Sequence, residues 1–167
     1  MELNTTGYRL PGEEQFRRWA EQSPDGFEFA PKLPGERVGR VAEFESAFRA
    51  LGDRLGPVRI SLKSVRDEGM LELLLGSLGE GLRVAVDLEH PSWDGIEPRL
   101  AEAGAVRVGD LDHPAPFRYL RRREPPDEAF AAAVASAREP VYVFFRHEDA
   151  PTAPAHAALL LERLSES

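Results

Sequence analysis

The chain contains no cysteine. It therefore forms no disulfide bond, offers no thiol nucleophile and cannot build a zinc site from cysteine ligands. Long apolar runs are also missing, because no segment approaches the roughly 18 apolar residues that a membrane-spanning helix needs. The first residues, Met1-Glu2-Leu3-Asn4, lack the basic start and apolar stretch of a signal peptide. We therefore expect a cytoplasmic protein without a membrane segment.

Lysine is nearly absent, since Lys32 and Lys63 stand against 19 arginines. The formal charge of −8 argues against broad attraction to nucleic acid or anionic lipid, although a local basic stretch can still hold one phosphate. Hydrophobic residues at 42% and charged residues at 30% are typical of a globular domain. At 167 residues the chain is well short of the roughly 250 residues of a complete (β/α) barrel. We expect one domain over residues 1–167.

Apolar residues with helical spacing alternate with short β-prone runs along most of the chain. The seven predicted strands cover residues 2–5, 27–32, 58–62, 82–88, 105–108, 117–120 and 141–145. The predicted helices lie around residues 16–20, 41–55, 70–78, 129–137 and 157–164. This alternation predicts a parallel sheet with right-handed crossovers, either open or closed into a barrel. The link 109–116 is too short for a regular helix, so either one crossover is irregular or two strands are differently arranged.

Several segments match the sequence pattern of a known family. They are the runs 2–11, 16–19, 23–32, 55–57, 84–93 and 141–145. On these runs the chain resembles the YecE-like family, catalogued as domain of unknown function 72. The resemblance implies a TIM-type (β/α) barrel that lacks the first β/α unit at its N-terminus. The seven predicted strands would then correspond to family strands two to eight.

The chain also departs from the family pattern at several strand ends. Asp87-Leu88-Glu89-His90 stands where the family tends to have Glu-Phe-Arg-His, and Asn4-Thr5-Thr6-Gly7-Tyr8 where it has Asn-Ser-Thr-Phe-Tyr. Near the family's His-Gly this chain has Arg121-Arg122-Arg123, and Arg146-His147 replaces its Asn-Asn. The resemblance therefore implies a partly rewritten site and transfers no activity.

Candidate site residues are those that follow the predicted strands, because function in such barrels lies at the carboxyl ends of the strands. The predicted ligand-binding residues are Tyr8, Lys32, Lys63, Arg121, Arg122, Arg146 and His147. The candidate acid–base residues are Asp87, His90 and His113. Each lysine can bind an anion or, if desolvated, act as a base or amine nucleophile; alternatively both are solvated loop cations.

Two further patterns leave alternatives open. The arginines after the sixth and seventh predicted strands lie where many barrels hold a phosphate, but they can equally pair with Glu124, Asp127 and Glu128 in solvent. Acids and histidines of the types that bind divalent metals also occur at several strand ends, at Asp87, Glu89, His90, Asp110, His113, His147 and Asp149. Their spacing fits no specific metal motif, so we predict no metal site, and the sequence indicates no particular cofactor.

Two classes of function remain. The first is a non-catalytic or degenerate barrel that binds a small anionic or phosphate-bearing ligand or a partner. In this hypothesis a partner or a second copy of the chain covers the open edge between family strands two and eight, because an unpaired edge beside an exposed core is unfavourable. The alternative is a metal- or acid/base-dependent enzyme acting on a phosphorylated or nucleotide-like substrate. Lys32 and the arginines would hold the anion, while Asp87, His90 or His113 would handle protons.

Overall fold

The structure is a computed structural model that describes residues 1–146 and 151–166. The chain divides into two compact units, Met1–Arg107 (unit 1) and Val108–Ser167 (unit 2). Within the described residues, the number of strands is the predicted seven. Two of them, Val58–Leu62 and Val141–Phe145, have the predicted bounds, because each is an uninterrupted β-prone run.

Unit 1 contains a five-stranded parallel sheet with helices between the strands. Its elements in chain order are β1 (Glu2–Leu3), α1 (Glu13–Gln22), β2 (Ala30–Pro34), α2 (Val41–Arg49), β3 (Val58–Leu62), α3 (Glu68–Gly76), β4 (Val84–Leu88), α4 (Glu97–Glu102) and β5 (Ala105–Arg107). The strands are hydrogen-bonded in the order β1-β2-β3-β4-β5, which is also their order along the chain. Each neighbouring pair is parallel, as the β, α alternation predicts.

The core of unit 1 lies between the sheet and the helices. On β3, Val58, Ile60 and Leu62 are buried in this core with the helix residues Phe44 and Leu71. Successive side chains of a strand point to opposite faces of the sheet. The alternating residues on β3, Arg59 and Ser61, are therefore directed to the other face of the sheet, and both are polar.

The bounds of the other unit 1 elements differ from the prediction by a few residues, and two differences stand out. The second strand begins at Ala30 instead of residue 27, and Phe29 just before it forms only an isolated parallel bridge with Leu55. Helix α4 was missed, since it has only six residues, carries Pro98 near its start and offers one buried apolar residue, Leu100.

Unit 2 has a two-stranded parallel sheet and two helices. Its elements are β6 (Arg118–Arg122), α5 (Glu128–Ser136), β7 (Val141–Phe145) and α6 (Ala153–Ser165). The core of unit 2 is built from Leu120, Phe130, Ala131 and Leu160. Residues 108–117 contain no helix or strand, which confirms the irregular connection before β6.

The fold is therefore α/β with parallel sheets and, among the described residues, six α-helices. Over the same residues the strands form two separate sheets, so the closed barrel that the family resemblance implies is not confirmed. The described part of the chain includes no helix with both the length and the apolar character required to cross a bilayer.

Candidate functional site

The sheet of unit 1 carries a group of polar side chains on the face opposite its helices. We call this group the polar face and define it as Glu2, Asn4, Lys32, Arg59, Ser61 and Asp87. The strand register places its members next to one another, because Arg59 is the partner of Lys32 on β2 and Ser61 is the partner of Asp87 on β4. Neighbouring partners in a sheet share a face.

Arg59 is the centre of the polar face and is only 2% exposed. Its Nη1 donates to Asp87 Oδ2 at 2.7 Å, and its Nη2 donates to Asn4 Oδ1 at 2.7 Å. Its Nε lies 2.9 Å from Glu2 Oε1, but the N–H is not aligned for a hydrogen bond, so this third contact is mainly Coulombic. One buried guanidinium thus holds two carboxylates and an amide.

The carboxylates around Arg59 are themselves largely removed from water. The side chain of Glu2 is 7% exposed and that of Asp87 is 15% exposed. Glu2 also accepts a hydrogen bond from Asn4 Nδ2 at 2.9 Å, which joins these residues into one network. Desolvating such groups is costly, and removing one partner of a buried ion pair is strongly destabilising.

The backbone of Lys32 is fixed by the segment that follows β1. Thr6 is fully buried, and its hydroxyl accepts a hydrogen bond from the Lys32 N–H at 3.0 Å. The same hydroxyl lies 2.8 Å from the carbonyl oxygens of Leu3 and Lys32, either of which can accept its proton. A Cβ at Gly7 would come within 3.2 Å of Lys32 Cδ, so glycine at this position leaves room for the lysine stem.

The other predicted site residues of unit 1 lie away from this network. The side chain of Lys63 is 71% exposed, with its Nζ 4.0 Å from Glu89 Oε1, and Tyr8 is 90% exposed. His90 caps the short helical turn Pro91–Trp93, because its Nδ1 accepts the Ser92 N–H at 3.1 Å and lies 2.9 Å from Ser92 Oγ.

In unit 2 the predicted acid–base residue His113 is paired with Asp110. Its Nδ1 lies 3.0 Å from Asp110 Oδ2, and its ring is 55% exposed. Burial raises the pKa of the Asp110 carboxyl, but hydrogen bonds from the Asp112 N–H and from His113 outweigh this effect. The net result is a lowered pKa, so the carboxylate form of Asp110 is favoured.

The predicted anion-binding arginines of unit 2 have different surroundings. The guanidinium of Arg122 lies over the Phe130 ring at 4.2 Å, with Nη2 3.7 Å from Asp127 Oδ2. Arg121 is half-buried on β6, and Arg146 is exposed after β7, where its N–H donates to the Arg122 carbonyl at 2.7 Å. The remaining predicted residue, His147, lies outside the described residues.

Sequence reasoning found part of the polar face and missed its centre. Lys32 and Asp87 were predicted, whereas Glu2, Arg59 and Ser61 were not. The signal available was the run Val-Arg-Ile-Ser-Leu at 58–62, in which polar and apolar residues alternate through a whole strand. Among the described residues, no three histidine, aspartate or glutamate side chains come together as a set that could hold a metal ion.

Comparison with known proteins identifies a family whose model matches the chain and a solved structure with a similar fold. The family model described as a protein of unknown function, DUF72, matches residues 1–108. The crystal structure of a DUF72 family protein from Enterococcus faecalis V583 is similar, with a TM-score of 0.81 over 99% of this chain and 89% of that one. The two sequences are 15% identical, so this likeness shows the fold alone. No curated protein matches the chain.

Proposed function

The chain belongs to the DUF72 family, and we propose that it is a non-catalytic member that binds a small anionic ligand at the polar face of unit 1. The observation that carries this proposal is the buried Arg59 network, in which two carboxylates and an amide converge on one guanidinium. A well-packed apolar face would stabilise a sheet at least as well as a buried ion pair does. A network of this kind is therefore better explained by ligand binding than by stability.

Within the polar face, Lys32 is the residue proposed to contact the anion. The guanidinium of Arg59 is already engaged by Glu2, Asn4 and Asp87, so its role is to hold these side chains in position. Lys32 lies beside Arg59 on the neighbouring strand and is half-buried, and a partly desolvated ammonium makes a strong charge-assisted contact with an anion.

The chain offers a matched test, because its only other lysine is the exposed Lys63. Isothermal titration of inorganic phosphate and acetate into purified protein should give measurable binding. Lys32→Met should weaken it about tenfold or more, since a charge-assisted contact is lost. Lys63→Met should change the affinity less than about twofold. Equal losses in both variants, or no binding by the parent protein, would contradict the proposal.

At the level of the fold, we propose that the chain is a single incomplete (β/α) barrel whose strands are family strands two to eight. The similarity to the enterococcal protein over 99% of the chain supports this proposal. No described strand pairs with the outer edge of β1, and a second copy of the chain is proposed to cover it. Sedimentation equilibrium measures whether that dimer exists. The proposed location is the cytoplasm.

The enzymatic alternative has one observation in its favour, the Asp110–His113 pair. A carboxylate that contacts a histidine ring nitrogen can orient the ring for proton transfer. Turnover of a phosphate ester by the purified protein would favour this alternative over the non-catalytic proposal.

A further inference from the structure

Unit 1 has a second concave region, which lies on the helix side of its sheet. It is a cavity of about 390 Å³ at the carboxyl end of β3, and its lining residues are Glu36, Leu62, Ser64, Val65, Asp67 and Met70. We call it the β3 cavity. Leu62 follows Ser61 along β3, so its side chain points to the face opposite the polar face. The β3 cavity is therefore distinct from the proposed anion site.

A glycine allows the chain to pack closely against the end of β3 beside this cavity. Gly35 is buried and begins the 3₁₀ segment Gly35–Arg40, which follows β2. A Cβ at Gly35 would lie only 2.1 Å from Leu62 Cδ2 and 3.0 Å from the Ser61 carbonyl oxygen. A larger residue would therefore push this segment away from Leu62. Glu36, the next residue, is in this way held at the rim of the cavity.

The walls of the β3 cavity are mainly apolar. Leu62 is 2% exposed, Met70 at the start of α3 is half-buried, and Val65 is 61% exposed, which is high for an apolar side chain. Small-molecule sites are typically concave spaces of roughly 300–1,000 Å³ with apolar walls and a few polar groups. The cavity meets this description, and a short alkyl chain placed in it would be removed from water.

The charged groups of the β3 cavity are carboxylates. Glu36 and Asp67 are exposed, and over residues 1–146 and 151–166 no arginine or lysine lies within ion-pair distance of either. The neighbouring acid Glu68 differs, because Arg66 and Arg99 both pair with it. Asp67 caps α3 through Oδ1, which offsets the positive end of the helix and leaves Oδ2 for a ligand. The cavity therefore favours a cation over an anion.

We propose that the β3 cavity binds a short primary alkylammonium ion. Glu36 and Asp67 hold the ammonium group, and the alkyl chain lies against the apolar walls. A primary ammonium has three N–H donors and can donate to both carboxylates, whereas a quaternary ammonium can donate to neither. The described residues that line the cavity also include no aromatic ring, the group that typically recognises quaternary ammonium ions.

Three small probes test the assignment on the parent protein. In a ¹H–¹⁵N NMR titration, n-butylammonium should give saturable shifts that are largest for the amides of residues 62–70. Methylammonium keeps the charge but lacks the chain and should bind about fivefold more weakly or less tightly still. Butyrate keeps the chain but reverses the charge and should bind more weakly than butylammonium. Tighter binding of butyrate would overturn the proposal in favour of an anion at the N-terminus of α3, and shifts without saturation would overturn the site.

Variants separate the contact to the charge from the contact to the chain. Glu36→Gln should weaken both cations about fivefold, and Val65→Ser should weaken butylammonium alone; both residues are exposed, so folding should be little affected. Asp67→Asn keeps a capping residue and should act like Glu36→Gln. Asp53→Asn is the matched control, because Asp53 is an exposed acid of unit 1 outside the cavity, and it should change the affinity less than about twofold.

Equal losses in Glu36→Gln and Asp53→Asn would show only a general attraction of cations to an acidic protein and would overturn the site. Unchanged butylammonium affinity in Val65→Ser would overturn the role of the apolar wall. None of these variants touches the polar face, so phosphate titration of Lys32→Met tests the proposed function separately.

Discussion

The two units use the same parallel arrangement of strands and helices, but they differ in what they place on the sheet face opposite the helices. In unit 1 that face carries the ion pair of Arg59 and Asp87. In unit 2 it carries aromatic rings, with Tyr119 and Phe144 4.8 Å apart and Phe117 and Tyr142 6.1 Å apart. The helix-facing sides carry the apolar cores of both units, and in unit 2 that side also carries Arg122, whose guanidinium lies over Phe130.

This difference shows that the fold requires apolar residues that pack helices against strands, whereas the residues on the opposite face of the sheet can vary. The family model matches residues 1–108 and thus ends one residue after unit 1, whereas the structural likeness covers 99% of the chain. The fold of unit 2 is therefore kept without a recognisable family sequence, because an apolar stripe of the right period suffices to pack helices on strands. The resemblance noted at 141–145 lies outside the matched residues. The polar face lies entirely inside them.

Among substitutions that test the difference between the two units, the largest loss of stability is expected at Arg59. Arg59→Met removes the shared cation of two largely buried carboxylates and should lower the free energy of unfolding by about 3–5 kcal/mol. Arg122→Met in unit 2 removes a partly exposed cation over Phe130 and should cost about 1 kcal/mol or less. Urea unfolding monitored by far-UV circular dichroism measures both values.

A compensating variant distinguishes lost charge from lost packing. If unpaired carboxylates cause the loss, adding Glu2→Gln and Asp87→Asn to Arg59→Met should recover much of the stability. A cost for Arg59→Met no larger than that for Arg122→Met would show that the polar face is not a buried network in solution.

The fold was largely predictable because its signals are local. Strands such as 58–62 and 141–145 show in the sequence as β-prone runs, and Asp67 and Asp127 lie at the starts of the helices that they cap. Helix α4 was missed because its stability comes from one buried contact, at Leu100, and not from a periodic stripe.

The candidate site was harder to predict because its residues meet only through strand register. Glu2, Arg59 and Asp87 are far apart in sequence and lie on three different strands. Propensity places Arg59 in a strand but does not say which residues of β1 and β4 it faces. The residues chosen after strand ends included Lys63 and Tyr8, which are exposed, since position at a strand end does not distinguish buried from solvated side chains.

An intermediate loss of stability is expected at the helix N-termini, where each unit has an aspartate that caps a helix. Asp67 accepts the Met70 N–H at 2.9 Å at the start of α3, and Asp127 accepts the Phe130 N–H at 2.7 Å at the start of α5. Asp67→Ala and Asp127→Ala should each cost about 1 kcal/mol. The exposed Asp53, which caps no α-helix, is the control, and Asp53→Ala should cost less than about 0.5 kcal/mol.

These cap variants also test whether the chain unfolds as one domain. Both tryptophans, Trp19 and Trp93, belong to unit 1, so their fluorescence follows unit 1 while circular dichroism follows both units. In a single cooperative transition, Asp127→Ala should shift the two signals equally. A shift in circular dichroism alone would mean that unit 2 unfolds separately, contrary to the single domain proposed above.

The smallest effect concerns the pH dependence of unit 2 at Asp110. Hydrogen bonds from the Asp112 N–H and from His113 lower the pKa of this carboxyl despite the opposing effect of burial. A pKa that is lower in the folded state gives stability that is present above the ordinary value near pH 4 and is lost as the pH falls through the folded value. Asp110→Asn should therefore cost more stability at pH 6 than at pH 3.

Asp112→Asn removes a charge from the same segment but keeps the backbone donor to Asp110, so it controls for net charge. A penalty for Asp110→Asn that is equal at both pH values would show that these hydrogen bonds do not favour the ionised carboxylate.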